Sequence, residues 1–239
     1  SIDGICRAVN PNYLLIIGSV DVIPHQRVDN PSRSCIETEI ATDWPYGWLG
    51  NYSNGPFGTP RMVGRIPGIT GCRSATPLLT ALASATKTCH RSTSDYLEPF
   101  VLCSTSFLES TRRTLTEVFG APREINAVPT ACGADWSDEQ ISRPLHLINC
   151  HGSPHTPSFS GQCATGPSRP ALFPEQLEGR LSEGTIAAVS CCYGADLFAP
   201  IGTAESSRYI PICNAFLRNG AIGYFGSTGS SHGGRSELK

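Results

Sequence analysis

Short apolar runs that end in turn residues alternate along this chain with segments of helical period. Such alternation is typical of strands joined by crossover helices, and it predicts an α/β fold with a largely parallel sheet. The predicted strands are Tyr13–Gly18, Met62–Ile66, Phe100–Cys103, Leu145–Cys150, Ile186–Ser190 and Ala221–Phe225. The predicted helices are Pro77–Cys89, Phe107–Phe119 closed by Gly120, Pro174–Leu181, and Ile210–Arg218 closed by Gly220.

The chain length favours one domain, because 239 residues suffice to bury a single α/β core. Residues 1–75 are a candidate for a smaller N-terminal subdomain. Two stretches rich in Pro, Gly, Ser and Asn, Asp29–Pro60 and Ser153–Ala171, are predicted to be loops. A loop as long as the first is usually functional or poorly ordered. The chain begins with Ser-Ile-Asp-Gly, and we expect it to be a fragment of a longer protein.

Composition excludes two classes of partner. A formal charge of −2 and a hydrophobic fraction of 39% describe a chain with no field strong enough to recruit nucleic acid or an anionic membrane. No apolar run reaches the roughly 20 residues that cross a bilayer. Partners must therefore be argued from a specific site.

The cysteine content favours reduced thiols and, with them, an intracellular location. The eleven cysteines are an odd number, no C-x-x-C occurs, and a chain of this size needs no disulfide staples. Zinc is disfavoured, since His151 and His155 are separated by a Gly-Ser-Pro stretch that cannot be helical. Nine cysteines are assigned to packing or to the surface: Cys6, Cys35, Cys72, Cys89, Cys103, Cys132, Cys150, Cys163 and Cys213.

Reactive side chains follow two of the predicted strands. Leu145–Cys150 is followed by His151-Gly152, and Ile186–Ser190 by Cys191-Cys192. The 40 residues between them allow a right-handed crossover, which would make the two strands parallel neighbours about 4.8 Å apart. Ligands in such sheets gather beyond the carboxyl ends of the strands. The sequence therefore predicts an imidazole and a thiol at the same edge.

This pair of groups suits acyl transfer. A thiolate attacks a carbonyl carbon, and an imidazole supplies the proton that the departing amine needs. Gly152 lacks a Cβ, so a substrate carbonyl can approach its N–H as an oxyanion, with the Cys191 N–H as second donor. Taken alone, a cysteine after a core strand is usually a small buried hydrophobe, and His-Gly often marks only a turn. The hypothesis of acyl transfer therefore depends on both residues together, each following a strand and separated by one crossover.

Several segments resemble the clan CD cysteine peptidases, which comprise caspases, legumains, clostripains, separases and gingipains. The paired His-Gly and Ser-Cys strand ends are similar to the motif of that clan, and the chain is most similar to the gingipains. The further segments that carry the likeness are YLLIIGSVDVIP at 13–24, TDWPYG at 42–47 with Gly50-Asn51, VGRI at 63–66 and GAIGYFGST at 220–228.

The resemblance implies a caspase-like three-layer α/β/α sandwich and a Cys-His dyad that cleaves peptide bonds through a thioester. A protein or peptide is then the substrate, and a regulatory or activating partner is expected to act through flanking regions. No cofactor is expected, and calcium is a possibility that the resemblance alone suggests. Gingipains that cut after arginine carry an acid just beyond the strand similar to Phe100–Cys103. This chain has Ser104-Thr105-Ser106 there, and Glu109 is its first acid.

Cys191 is the expected nucleophile and Cys192 the second choice. Side chains alternate along a strand, so the two cysteines cannot both point at His151. In the gingipain-like pattern a small residue precedes the nucleophile and glycine follows three positions later, as Ser190 and Gly194 do around Cys191. Cys192 would then turn towards the core. The expected substrate-binding residues are Thr105, Ser190, Ser227 and Thr228, which form a pocket for small or uncharged side chains.

Three other functions compete with the peptidase. A caspase-like domain without activity would serve as an interaction or regulatory module, although both dyad residues are present. An α/β-hydrolase is disfavoured because only His232 follows the cysteine pair. A doubly wound nucleotide binder is disfavoured because the chain has neither G-x-G-x-x-G nor a P-loop.

Overall fold

A computed structural model describes residues 2–30, 37–48, 61–87, 90–130, 134–163, 166–200 and 209–231. The α-helices are α1 Ile2–Val9, α2 Thr76–Thr86, α3 Leu108–Phe119, α4 Asp138–Ile141 and α5 Ile212–Arg218. The strands are β1 Tyr13–Ile17, β2 Gln26–Asp29, β3 Glu39–Thr42, β4 Met62–Ile66, β5 Phe100–Ser104, β6 Asn126–Val128, β7 Leu145–Asn149, β8 Phe159–Gly161, β9 Arg169–Leu172, β10 Thr185–Val189 and β11 Ala221–Phe225.

The central sheet has five strands in the order β11-β10-β7-β5-β6, and each neighbouring pair is parallel. The predicted parallel pairing of β7 with β10 is confirmed, with Ile148 opposite Val189. Because the strands are parallel, all of their carboxyl ends lie at one edge of the sheet. The residues after β5, β7, β10 and β11 therefore meet there.

Helices cover both faces of this sheet. On one face, the Asn149 amide donates to the Thr111 hydroxyl of α3 at 2.9 Å. On the other face, the buried ring of His146 packs edge-on against Phe216 of α5, with ring centroids 5.3 Å apart. Residues 146 and 149 of β7 differ by an odd number, so their side chains point to opposite faces. The result is the predicted three-layer α/β/α sandwich.

Continuous burial of the inner strands explains why they are so apolar. Four residues of β5, Phe100, Val101, Leu102 and Cys103, have no exposed surface, which is typical of a parallel strand covered on both faces. The core on the α5 side also includes Cys150 and Cys191. The two strands that carry the reactive residues are thus anchored in the interior.

Strands β1 and β4 do not join the central sheet, although both were correctly predicted as strands. They pair with each other as a separate two-stranded parallel sheet. A side-chain amide links this part of the chain to the sandwich, because Asn214 of α5 donates to the carbonyl oxygens of Pro67 and Gly68. The proposal of a subdomain at 1–75 stays a prediction.

Three predictions of local structure were wrong. Pro174–Leu181 forms only a 3₁₀ turn at Pro174–Leu177, since Glu178 leaves the helical path with an extended ψ of 115°. The stretch predicted as loop at Asp29–Pro60 contains β3, and that at Ser153–Ala171 contains β8 and part of β9. Residues 31–36, 49–60 and 164–165 of the two stretches, and residues 88–89 of the predicted helix Pro77–Cys89, lie outside the described ranges.

Across the described ranges, no helix combines the length and the hydropathy that a membrane span requires.

Candidate active site

The ends of β7 and β10 bring His151-Gly152 against Cys191-Cys192. A Cβ built on Gly152 would lie 1.9 Å from the Cys192 carbonyl oxygen and 3.6 Å from the Cys191 Cβ. No side chain fits in that space, so the sequence requires glycine here. The requirement comes from the protein's own backbone, whereas the sequence argument had ascribed it to an approaching substrate.

His151 is held more firmly than the sequence suggested. Its backbone pairs with Ser160 through two hydrogen bonds of 2.8 and 2.9 Å, and its ring packs against Phe107 with centroids 4.7 Å apart. The turn before α3 extends over this ring, so packing holds the His151 side chain in place. Desolvation lowers the pKa of His151, so the imidazole is neutral at pH 7. Its Nε2 is buried and has no hydrogen-bond partner among the described residues.

The Cys191 thiol points towards β7, the strand that carries His151. Its Sγ accepts the Cys150 N–H at 3.2 Å and lies 3.9 Å from the Ile148 carbonyl oxygen. The residue is only 1% exposed. Desolvation raises the pKa of the thiol far above its usual range, so the group is protonated in this conformation.

The Cys192 thiol points the other way, towards the chain that follows β11. Its Sγ lies 3.3 Å from both the backbone N and the carbonyl oxygen of Ser231. The expectation that Cys192 turns into the core was wrong, because Cys192 is half-buried while Cys191 occupies the core. The physical reason is the register, which places Cys191 level with the buried Cys150 rather than with His151.

Cys191 and His151 therefore follow neighbouring strands, but no hydrogen bond joins the thiol to the imidazole in this conformation. The thiol of Cys191 contacts the backbone of β7, and the Nε2 of His151 is unpaired. With a raised thiol pKa and a lowered imidazole pKa, the resting pair is neutral rather than an ion pair. Chemistry at this site requires the thiol to move towards the imidazole.

Both predicted oxyanion donors are free in the described structure. The N–H groups of Gly152 and Cys191 donate to no acceptor within the described ranges. They belong to the ends of neighbouring strands, β7 and β10. Their assignment as an oxyanion hole remains a proposal.

The predicted substrate-binding residues lie on both sides of the cysteine and histidine. Thr105 follows β5 and uses its hydroxyl to bond the Val128 carbonyl oxygen at 3.0 Å. Ser227 and Thr228 follow β11, and the Thr228 hydroxyl donates to the Ala41 carbonyl oxygen. Three strand spacings separate the ends of β5 and β11, about 14 Å in all. The expected substrate-binding residues therefore span the strand ends on both sides of His151 and Cys191, with exposed Ser190 between them.

Glu37 and Tyr193 are site residues that the sequence argument missed. The Glu37 carboxylate accepts hydrogen bonds from the Tyr193 hydroxyl and the Ser230 N–H, so it lies against the turns after β10 and β11. The one sequence signal was the long polar stretch Asp29–Pro60, whose length indicated function without naming a residue.

Among the described residues, no group of three or more His, Cys, Asp or Glu side chains is placed to hold a metal ion. His155 and Asp196 form one pair of such side chains, with the imidazole Nδ1 3.6 Å from the carboxylate. A pair of this kind lacks the ligands of a closed metal site.

Comparison with known proteins gives structural but not sequence neighbours. No family profile and no curated protein matches the sequence. A solved protease superimposes with a TM-score of 0.56 at 17% identity, covering 96% of this chain and 48% of its own. The Arg-specific cysteine proteinase gingipain R superimposes with a TM-score of 0.58 at 14% identity, covering 97% of this chain and 52% of its own.

The chain thus spans about half the length of each of these structures. Likeness at this level of identity shows the fold, and the five-stranded parallel sheet flanked by helices is the feature that they share with it. The protein has the caspase-like α/β fold found in these proteases.

Proposed function

We propose that this chain is the peptidase unit of a cysteine endopeptidase in which Cys191 is the nucleophile and His151 its acid–base partner. The observation that carries the proposal is the direction of the Cys191 thiol. It leans from β10 towards β7, with its Cβ against Gly152, whereas the Cys192 thiol is engaged with Ser231 on the far side. The protease neighbours support the same reaction class.

The reaction begins from a neutral pair. Rotation about χ1 of Cys191 releases Sγ from the Cys150 N–H, after which His151 accepts the thiol proton as sulfur attacks the scissile carbonyl. The oxyanion receives the N–H groups of Gly152 and Cys191. His151 then protonates the departing amine, which leaves a thioester on Cys191.

Hydrolysis completes the cycle. Water attacks the thioester while His151 takes one of its protons, and the proton returns to the sulfur as the acid product leaves. Each cycle consumes one water and one peptide bond and restores the neutral thiol and imidazole. No third residue and no bound group is needed.

Cleavage of a mixture-based peptide library tests the function and its specificity together. We expect the wild-type chain to cleave, and His151→Ala and Cys191→Ala each to reduce turnover at least about a thousandfold. The matched controls are Cys192→Ala and His90→Ala, since His90 is exposed and remote from the dyad in sequence. Retention of activity by Cys191→Ala together with its loss in Cys192→Ala would move the nucleophile by one residue.

A second candidate function is a caspase-like module that binds without catalysis. The buried, protonated thiol and the absence of a bond between Cys191 and His151 favour it. Failure of the wild-type chain to cleave any library peptide, with both Cys→Ala variants equally inert, would support this function.

A further inference from the structure

Glu37 joins two turns at the candidate site. One carboxylate oxygen accepts the Tyr193 hydroxyl, which belongs to the turn after the cysteine pair, and the other accepts the Ser230 N–H at 3.0 Å. A Cβ built on Gly229 would lie 3.1 Å from the same carboxylate, so the loop closes tightly around it. Both oxygens are therefore engaged within the protein.

Tyr193 needs such support because of its backbone. Its φ of 54° lies in the left-handed region, which bulky residues rarely adopt unless surrounding contacts impose it. Two contacts do so: the Tyr193 N–H donates to the Gly229 carbonyl oxygen at 2.8 Å, and its hydroxyl donates to Glu37. The conformation of Tyr193 sets the path of the chain directly after Cys191 and Cys192.

The second turn is bound to the first along its length. The Ala195 N–H donates to the Ser227 carbonyl oxygen at 2.8 Å, and Ser231 contacts the Cys192 thiol at 3.3 Å. The Thr228 hydroxyl also donates to the Ala41 carbonyl oxygen of β3. Segment 37–42 thus rests on both turns, and Glu37 is the charged group within it that touches each one.

We propose that Glu37 is a positioning residue that holds the cysteine turn, Cys191–Ala195, against the turn after β11, Ser227–Ser231. This inference rests on the proposed function, but the contacts themselves do not depend on it. The hydrogen bond from Tyr193, followed by that from Ser230, lowers the pKa of Glu37, so the carboxylate is ionised and accepts both bonds at neutral pH.

The test compares Glu37→Gln and Tyr193→Phe with Glu39→Gln in the full chain. Each of the first two variants removes a hydrogen bond of the strut that Glu37 forms between Tyr193 and Ser230. Glu39 lies two residues further along the chain, in β3, and its exposed carboxylate is 4.0 Å from the Arg27 guanidinium. Hydrogen exchange measures the amides of Tyr193 and Ala195. We expect both to exchange at least about tenfold faster in the two strut variants and at the wild-type rate in Glu39→Gln.

Kinetics on a cleaved library peptide supply the second readout. We expect kcat to fall about tenfold or more in both strut variants while KM changes less than about threefold. The reason is that these substitutions loosen the cysteine turn and leave the substrate-binding residues in place. The double variant should resemble each single variant, since the two side chains act as one unit.

Unchanged exchange in Glu37→Gln, or equal acceleration in Glu39→Gln, would overturn the proposal. Failure of the wild-type chain to cleave any peptide would instead count against the proposed peptidase function. The hydrogen-exchange experiment would still decide whether Glu37 orders the cysteine turn.

Discussion

Cys191 and Cys192 are adjacent in sequence, but their thiols leave β10 on opposite sides. Cys191 reaches the backbone of β7, and Cys192 reaches Ser231 after β11. The sheet order β11-β10-β7 makes this a choice between two neighbouring strands, and within the described ranges a histidine, His151, follows β7 and none follows β11. The direction of its thiol therefore favours Cys191 as the nucleophile. The greater exposure of Cys192 makes its thiol the one that alkylating reagents should reach first.

Alkylation should separate these two properties. Thiolates react and thiols do not, so burial and a raised pKa should protect Cys191 in the resting protein. We expect iodoacetamide at pH 7.5 to modify Cys192 at least about tenfold faster than Cys191, measured by tandem mass spectrometry. Cys192→Ala should remove the fast phase without removing peptidase activity. Fast modification of Cys191 in the absence of substrate would contradict the closed resting conformation.

The pH profile should report the neutral state of His151. Burial lowers its pKa below 6.5, and only the neutral imidazole can accept the thiol proton. As pH falls, kcat/KM should hold through 6.5 and decline only below that value. Phe107→Ala would expose the ring and should move this acid limb upward. An acid limb above pH 6.5 in the wild-type chain would contradict a desolvated imidazole.

At the scale of elements, the central strands could be predicted because burial on both faces leaves an unbroken apolar run. Phe100–Ser104 is fully buried, and its predicted bounds differ by one residue from those observed. The parallel pairing of β7 with β10 could be predicted because the residues between them are enough for a single crossover connection. Strands β2, β3, β6, β8 and β9 were missed because each has only three or four residues, too few to show a period. Strands β8 and β9 also contain a Gly and a Pro, respectively.

The candidate site was predictable in part for the same reason. The places of His151 and Cys191 could be predicted because each follows a strand, and parallel strands bring their carboxyl ends to the same edge of the sheet. The direction of each thiol depended on where the chain leaves the sheet, which alternation within a strand does not determine. Glu37 depended on a contact across 156 residues to Tyr193, and no local pattern encodes such a contact.

Two glycine substitutions should differ in their effect on activity, one at the junction of β7 and β10 and the other at the end of a helix. Gly152→Ala places a Cβ 1.9 Å from the Cys192 carbonyl oxygen, so the two strand ends must move apart. We expect loss of most peptidase activity with a folded sandwich by circular dichroism. Gly120→Ala, at the C-terminus of α3 with φ of 68° and open space around it, should cost about 1 kcal/mol and leave turnover unchanged. Full activity in Gly152→Ala would contradict the tight junction.

At the scale of the whole molecule, one buried histidine should dominate the acid sensitivity of folding. His146 lies between Phe100 and Phe216, its Nε2 bonds the Ile141 carbonyl oxygen at 3.0 Å, and burial lowers its pKa to about 4. The unfolded chain protonates this residue at about 6.5, so unfolding takes up a proton between about pH 6.5 and 4. The stability that its neutral form supplies is complete above that window and is lost as pH falls through it.

The expected size of this loss is about 3 kcal/mol, because the pKa of His146 is about 4 in the folded chain and about 6.5 in the unfolded chain. Urea unfolding at several pH values should show the free energy of unfolding decline over that interval in the wild-type chain. His146→Leu should flatten the decline whatever its stability at pH 7, and His90→Leu, at an exposed site, should not. An identical slope in wild type and His146→Leu would exclude His146 as the cause.

The central claim is that Cys191 attacks a peptide carbonyl with the help of His151, and covalent capture tests it most directly. The chain would be incubated with a mixture of peptidyl acyloxymethyl ketones that vary in the residue before the reactive carbon. Tandem mass spectrometry would then locate the thioether. We predict an adduct on Cys191 in the wild-type chain, an adduct on the same residue in Cys192→Ala, and none in His151→Ala. Modification of Cys192 alone, or an equal yield on Cys191 in His151→Ala, would contradict the dyad.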